Sequence, residues 1–322
     1  MCRPARLPSA RLRTEPVNPR PHPATLGVIG AGRVGRAVTA AVVTTGLAST
    51  VLVHSRRLVE STALATDATD LAATQHVPIT IDAVEHPRDL RDAALLIVCV
   101  RARFSNHAQD RRGGLLPNAP LVANLAHQLH GFPGPVVMVS NPVDVMSRLF
   151  AEHSDTTVLG IGSNLDSARY RTLVAHHLAV SLTAVGGSVL GEHGETAVIC
   201  EHATRVNRQP VHLPLGLIRR QLRERSPRIT AGMDRTQHGP AGAVLSTVRK
   251  LLGLADGHEE LSAPSPGGVY LGQRLRFVAG QYCNDPPEHS AAEHTALDAS
   301  AHQLKIRYGN IRTHLENRRR NA

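Results

Sequence analysis

Apolar residues fall in short runs separated by stretches with helical spacing. Leu26–Ile29 is a short apolar run ending at a glycine-rich turn, and a helical stretch over Arg33–Thr45 follows it. Val51–Val53, Val77–Ile81 and Leu95–Val100 read as further strands. The last is a continuous apolar run, as expected of a strand buried on both faces. Leu115–Leu129 has helical spacing, Val136–Val139 reads as a fifth strand and Val158–Ile161 as a sixth. Strands alternating with helices predict βαβ units in a doubly wound parallel sheet, an α/β Rossmann-type fold.

The pattern changes after Gly162. A helix is expected from Leu165 to Ala179, then hairpin-like pieces around Val189 and Val198. Helical segments near Leu215–Arg223 and Ala241–Leu252 come next, then strand-like Gly268–Ala279 and a last helix over Ala291–Glu316. Pro264–Gly268 and Asp285–His289 read as surface loops. The expected organisation is a basic, disordered tail over 1–23, a dinucleotide-binding domain over 24–162, an α+β substrate domain over 163–318 and a basic tail over 319–322.

Composition agrees with a large aliphatic core. The 322 residues are 42% hydrophobic but only 2% aromatic, so Val, Leu, Ile and Ala must fill the interior. The net charge of +10 suggests a polyanionic partner, but the arginines are spread along the chain and no nucleic-acid module accompanies them. Nucleic-acid association through the arginine-rich ends is therefore the weakest functional class. Residues 1–23 resemble a transit peptide in composition, yet Pro4, Pro8, Pro16, Pro19, Pro21 and Pro23 spoil the helix that such a peptide needs. Cys2, Cys99, Cys200 and Cys283 form no CxxC pair, so reduced thiols and a cytoplasmic setting are expected. The 19 histidines show no metal-ligand spacing, and His176 and His177 read as ordinary helix residues. No apolar run approaches a membrane span.

The first chemical motif is Gly30-Ala31-Gly32-Arg33-Val34-Gly35, placed between a strand and a helix. Gly30 permits the tight turn, Gly32 leaves room for a pyrophosphate, and Gly35 lets helix and strand approach. Free N–H groups at the helix start, with Arg33 and Val34 in its first turn, favour the phosphates. The end of the second strand reads His54-Ser55-Arg56-Arg57, where an acid that would hold the adenine ribose is usual. Arginine can instead grip a 2′-phosphate. The cofactor expected is NAD or NADP, with NADP in front and Ser55 and Arg56 as its contacts.

Three further segments follow in order: Ser140-Asn141-Pro142-Val143-Asp144, Asn164-Leu165-Asp166-Ser167-Ala168-Arg169-Tyr170-Arg171 and Gly191-Glu192-His193-Gly194-Glu195. Asp166 and Arg169 share a helix face by spacing. Reducing a ketone by hydride needs a proton at its oxygen, and histidine holds and releases one near neutral pH. On these motifs, from Leu26 to Tyr308, the chain resembles the lactate/malate dehydrogenase family, the lactate branch more than the malate branch. The resemblance implies an L-2-hydroxy-acid dehydrogenase. Asp166 and His193 would be its proton-relay pair, Arg169 the clamp on the substrate carboxylate, and Asn141 a contact to nicotinamide ribose and substrate.

The resemblance also implies a loop after the fourth strand with an arginine that polarises the reacting carbonyl. Here that residue is Arg112, with Arg111 as the alternative. The substrate-selecting position falls on Phe104, or on Arg103 if the register shifts by one. Phe104 favours an apolar side chain on the substrate; Arg103 favours a dicarboxylate. A small-residue stretch is usual where this chain has Val100-Arg101. The expected reaction interconverts a 2-oxo acid and an L-2-hydroxy acid, in a homo-oligomer of two or four chains. The alternatives are malate-type activity and a catalytically silent NAD(P) sensor.

Overall fold

The computed structural model describes residues 22–103 and 114–320. Phe104, Arg111, Arg112, most of the expected N-terminal tail and the last two residues lie outside the described residues.

The first half alternates strand and helix: β1 (Thr25–Ile29), α1 (Arg33–Thr45), β2 (Thr50–His54), α2 (Leu58–Thr74), β3 (Thr80–Val84), β4 (Leu95–Val98), α3 (Leu115–Gln128), β5 (Val136–Met138), α4 (Val143–Ser154) and β6 (Val158–Gly160). Helix α5 (Ser163–His177) opens the second half. It continues with β7 (Val185–Gly186), β8 (Val189–Gly191), β9 (Ala197–Ile199), β10 (Arg205–Val206), β11 (Gln209–Pro210), α6 (Leu215–Met233) and α7 (His238–Leu251). Strands β12 (Gly257–Pro264), β13 (Tyr270–Val278) and β14 (Gln281–Asn284) precede the long α8 (Ala291–Arg320).

Strands β1 to β6 are parallel, in the order β3-β2-β1-β4-β5-β6. The order reverses between β1 and β4, and the crevice at their carboxyl ends is where such sheets bind ligands. The sheet continues through antiparallel β12, β13, β8 and β9, eleven strands in all among the described residues. It crosses the boundary expected at residue 162 through one pairing, Ser262 with Gly160. Among the described residues no helix is long and apolar enough to cross a membrane.

Two apolar layers flank the parallel strands. Val38, Val42 and Val43 of α1, Leu64 and Ala68 of α2, and Val244 and Val248 of α7 cover one face. Val122 and Ala126 of α3, Met146 and Phe150 of α4, and Leu304 and Ile311 of α8 cover the other. That is why Leu95-Leu96-Ile97-Val98 is buried throughout.

Several elements differ from the sequence expectation. Strand β3 begins at Thr80, not Val77: it is an edge strand that buries Ile81 while Thr80 and Asp82 face outward, so its polar residues belong to it. Helices α2 and α4 escape the periodicity reading. The buried face of α2 is largely alanine, which marks it weakly. Helix α4 is short, and its polar stripe of Asp144, Arg148 and Glu152 opposite Met146, Leu149 and Phe150 spans only three turns. The basic end expected as a tail from residue 319 begins inside α8.

Candidate active site

Each predicted site segment leaves the carboxyl end of a parallel strand or packs against one. Gly30 follows β1 with φ +115°, a region that favours glycine, and its N–H donates to His54 O at 2.7 Å. A Cβ on Gly30 would stand 2.8 Å from Cys99 O, and one on Gly35 only 1.7 Å from Gly30 O. Strand and helix therefore need both glycines in order to meet. Gly32 is different. Its backbone is extended, and a Cβ there would meet nothing within 4 Å. No atom of the described residues requires glycine at that point, so the open space beside the α1 N-terminus fits a pyrophosphate. Helix α1 has no side-chain cap and no acid in its first turn, which leaves those N–H groups to an anion. Val34 packs partly into the core, and the Arg33 guanidinium turns to Met233 O (2.9 Å) and Asp234 (3.1 Å) at the end of α6.

At the end of β2 the structure revises the charge picture. Ser55 is buried and its hydroxyl donates to Arg57 O at 2.7 Å, so the contact expected of that hydroxyl is spent inside the turn. Arg56 is exposed, and Arg57 is paired with Glu60 on the first turn of α2. A carboxylate is therefore present beside the arginines after all, from α2 rather than β2. The Arg57 hydrogen bond holds Glu60 below the usual carboxylate range, helped by the charges of Arg56 and Arg103. Exposed Arg103 thus belongs with this basic group. Burial holds His54 below its ordinary value. Burial also pushes the Cys99 thiol up to about 12, which makes it a poor nucleophile.

The ends of β4 and β5 are laced together. Ser140 Oγ donates to Val100 O at 2.7 Å. Asn118 on α3 accepts from Ala102 N–H at 2.8 Å and donates to Asn141 O at 2.7 Å. Asn118 thereby fixes the stem of the 101–103 segment against Asn141. The side chain of Asn141 lies on an exposed residue, and the peptide bond that follows it is cis.

Asp166, Arg169 and His193 come together. His193 Nδ1 lies 2.6 Å from Asp166 Oδ2, and Arg169 Nη1 donates to Asp166 Oδ1 at 3.2 Å. All three side chains are largely buried, between 8% and 14% exposed. With Asp166 accepting at Nδ1, the imidazole's other nitrogen, Nε2, is the one that can hold or release a proton. Gly162, in the β6–α5 turn, lies under the ring: a Cβ there would stand 2.6 Å from its Cγ.

Three supports of this cluster lie inside the three segments, though the sequence assigned them no role. Asn164 Oδ1 accepts from Gly162 N–H (3.0 Å) and Leu165 N–H (2.9 Å), while its amide donates to Ala243 O, Thr247 Oγ1 and Glu259 Oε1. Glu259 is in turn paired with Lys250 at 2.7 Å. Glu192, beside the histidine, is buried against Thr196 and Arg307, and its N–H donates to Ser300 Oγ at 2.7 Å, so α8 holds the loop from behind. Asp144 Oδ2 accepts the His193 main-chain N–H at 2.8 Å. His176 and His177 lie exposed on α5.

Known proteins resemble the chain in sequence and in fold. The family described as lactate/malate dehydrogenase, NAD binding domain, matches residues 24–159. An L-lactate dehydrogenase of Mesoplasma florum is 30% identical over 189 residues, 57% of this chain and 59% of that protein, so the chain spans less than two thirds of that relative. A malate dehydrogenase of Sulfurisphaera tokodaii is 25% identical over 232 residues, 70% of this chain and 74% of the other. In structure, a lactate dehydrogenase from a Medee basin deep-sea metagenome library superposes with TM-score 0.83 at 21% identity, over 90% of this chain and 99% of that one; it shares the fold. Residues 24–159 thus match the NAD-binding domain of the lactate/malate dehydrogenase family, and the chain is similar to members of both branches.

Proposed function

We infer that the chain is an L-2-hydroxy-acid dehydrogenase that interconverts a 2-oxo acid and its L-2-hydroxy acid. The observation that carries this reading is the buried Asp166–His193 pair, 2.6 Å apart, with Arg169 on the second oxygen of the same carboxylate. NAD(H), when bound, accepts or supplies the hydride at the substrate's second carbon. In the oxidation, His193 Nε2 takes the hydroxyl proton, and Asp166 steadies the imidazolium that forms. In the reduction Nε2 returns the proton to the carbonyl oxygen. Arg169 offers a planar fork that matches a carboxylate and orients the substrate. Gly30, Gly32 and Gly35 would seat the pyrophosphate at the start of α1, and Asn141 would meet the nicotinamide ribose. Arg112, or Arg111 in the other register, is the proposed partner of the carbonyl oxygen.

The basic group at the end of β2 bears on the choice of cofactor. Arg57 is held by Glu60, while Arg56 and Arg103 remain as cations that a 2′-phosphate would meet. Glu60 is a carboxylate in the same region, which moves the balance from NADPH toward NADH. The placement of Arg103 near Glu60 supports a nucleotide-side role and leaves Phe104 as the proposed selector, hence a monocarboxylate with an apolar side chain rather than malate. The division into a nucleotide domain (24–162) and a substrate domain (163–318), and assembly as a homo-oligomer, complete the proposal.

The test is oxidation of NADH and NADPH with pyruvate, oxaloacetate, 2-oxoisocaproate and phenylpyruvate. Turnover with the monocarboxylates and NADH is the expected result. Preference for oxaloacetate would return the selector role to Arg103. Cofactor binding without turnover on any of the four would favour a silent sensor.

A further inference from the structure

We propose that Asp144 is a positioning residue of the relay: a second carboxylate that holds His193 by its main chain and, ionised, favours the protonated imidazole. The proposal rests on the dehydrogenase reading for its catalytic meaning, but its geometry stands alone. Asp144 lies in the first turn of α4, immediately after Asn141 and Pro142, and is 2% exposed. Its Oδ2 accepts the His193 N–H at 2.8 Å, while Asp166 on α5 takes the same residue's ring at 2.6 Å. Two helices that follow successive parallel strands thus grip one histidine, one by the backbone and one by the side chain. Gly162 closes the third side, since nothing larger fits beneath the ring. Backbone and ring are both fixed, so Nε2 has little freedom left.

The charges around the pair favour an electrostatic role as well. Asp166 and Arg169 face His193 from α5, Asp144 faces it from α4, and Glu192 and Glu195 flank it in its own loop. Glu192 is matched by Arg307 of α8. Around Asp144 stand Arg148 of its own helix, Ser262 of β12, Tyr270 of β13 and Tyr308 of α8. Arg148 is engaged with Glu152 (2.8 Å) and lies 3.9 Å over the Tyr308 ring. Burial holds both tyrosines neutral at physiological pH, Tyr270 at about 12 and Tyr308 higher still. Asp144 Oδ1 sits beside Ser262 Oγ without a well-formed hydrogen bond, so the His193 N–H is its well-made contact. Burial pushes the Asp144 carboxyl up; the Ser262 hydroxyl, the His193 N–H and the His193 charge oppose that rise. The N-terminal turn of α4 favours the ionised form too. The coupling is mutual: whatever the imidazolium does for Asp144, Asp144 does for the imidazolium.

The experiment is an NMR titration of His193 in histidine-labelled protein, its signal assigned by loss in His193→Gln. It compares wild type with Asp144→Asn, which keeps an acceptor oxygen and removes the charge. The midpoint is expected to fall by about one pH unit, the scale of one nearby carboxylate. The corresponding limb of the kcat/KM profile should move with it. An unmoved midpoint in a folded Asp144→Asn protein would overturn the electrostatic role. Should that variant fail to fold, the wild-type His193 amide decides: slow hydrogen exchange supports the grip, and fast exchange overturns it. The titration needs neither substrate nor cofactor. An unmoved midpoint therefore sinks this proposal, and absent wild-type turnover sinks the dehydrogenase reading, as separate results.

Discussion

Gly32 and Gly35 sit three residues apart and answer to different demands. A Cβ on Gly35 would press into Gly30 O at 1.7 Å, whereas a Cβ on Gly32 meets nothing within 4 Å. Gly35→Ala is therefore expected to lower the melting temperature or abolish folding. Gly32→Ala should melt within a degree or so of wild type yet weaken NADH binding by about tenfold or more, because the methyl takes the pyrophosphate's room. Equal NADH affinity in Gly32→Ala, read by fluorescence titration, would remove the phosphate from that turn. Arg169→Lys replaces a fork with a point charge. It should raise KM for the 2-oxo acid by roughly a hundredfold, about 2–3 kcal/mol, in steady-state assays. Asp166, Arg169 and His193 are legible in the sequence because their segments follow a dinucleotide turn in the order that resembles the lactate/malate dehydrogenase family; spacing alone places only Asp166 and Arg169 on one helix face. The contacts of Gly162 and Asp144 with His193 are not, because that partner is distant in the chain, even though Asp144 closes the Ser140–Asp144 segment.

At the scale of elements, the start of α5 decides where Asp166 stands. Asn164 ties the β6–α5 turn to α7 and β12, and the Glu259–Lys250 pair closes that network with both side chains nearly buried, 7% and 12% exposed. Lys250→Met leaves the Glu259 carboxylate uncompensated and should cost about 3–5 kcal/mol in urea unfolding. A loss below about 1 kcal/mol would mean that the pair is effectively solvated. The same scale shows why α2 and α4 stay hidden from periodicity. Alanine marks a buried face of α2 faintly, and α4 is only 12 residues long, so its pattern repeats few times. Strand β4, with Leu95-Leu96-Ile97-Val98, is plain for the converse reason: a short continuous apolar run among alternating strands and helices reads as a strand buried on both faces.

For the whole molecule, one sheet passes from parallel to antiparallel pairing through Ser262 and Gly160, and the relay lies close to that seam. Topology of this kind is partly legible. The βαβ half follows from alternating runs, whereas β12 meets β6 and β13 meets β8 by pairings distant in sequence. Among the described cysteines, burial pushes the Cys200 thiol up to about 12, while Cys283 is exposed. Alkylation of the native protein at pH 8 should therefore mark Cys283 well before Cys200, and equally fast labelling would mean that the β8–β9 region opens readily. NADH at about a hundred times its Kd should stabilise the fold by about 2.7 kcal/mol, seen as a rise in Tm. NADPH should do less if Glu60 sets the preference.

The most direct test of the account is the turnover of His193→Ala beside wild type, at saturating NADH with the best 2-oxo acid of the panel. The expected result is a fall in kcat of about a hundredfold to ten-thousandfold with NADH affinity unchanged, since His193 serves the proton and not the nucleotide. A kcat within a few-fold of wild type would contradict it and take the proton relay away from the Asp166–His193 pair.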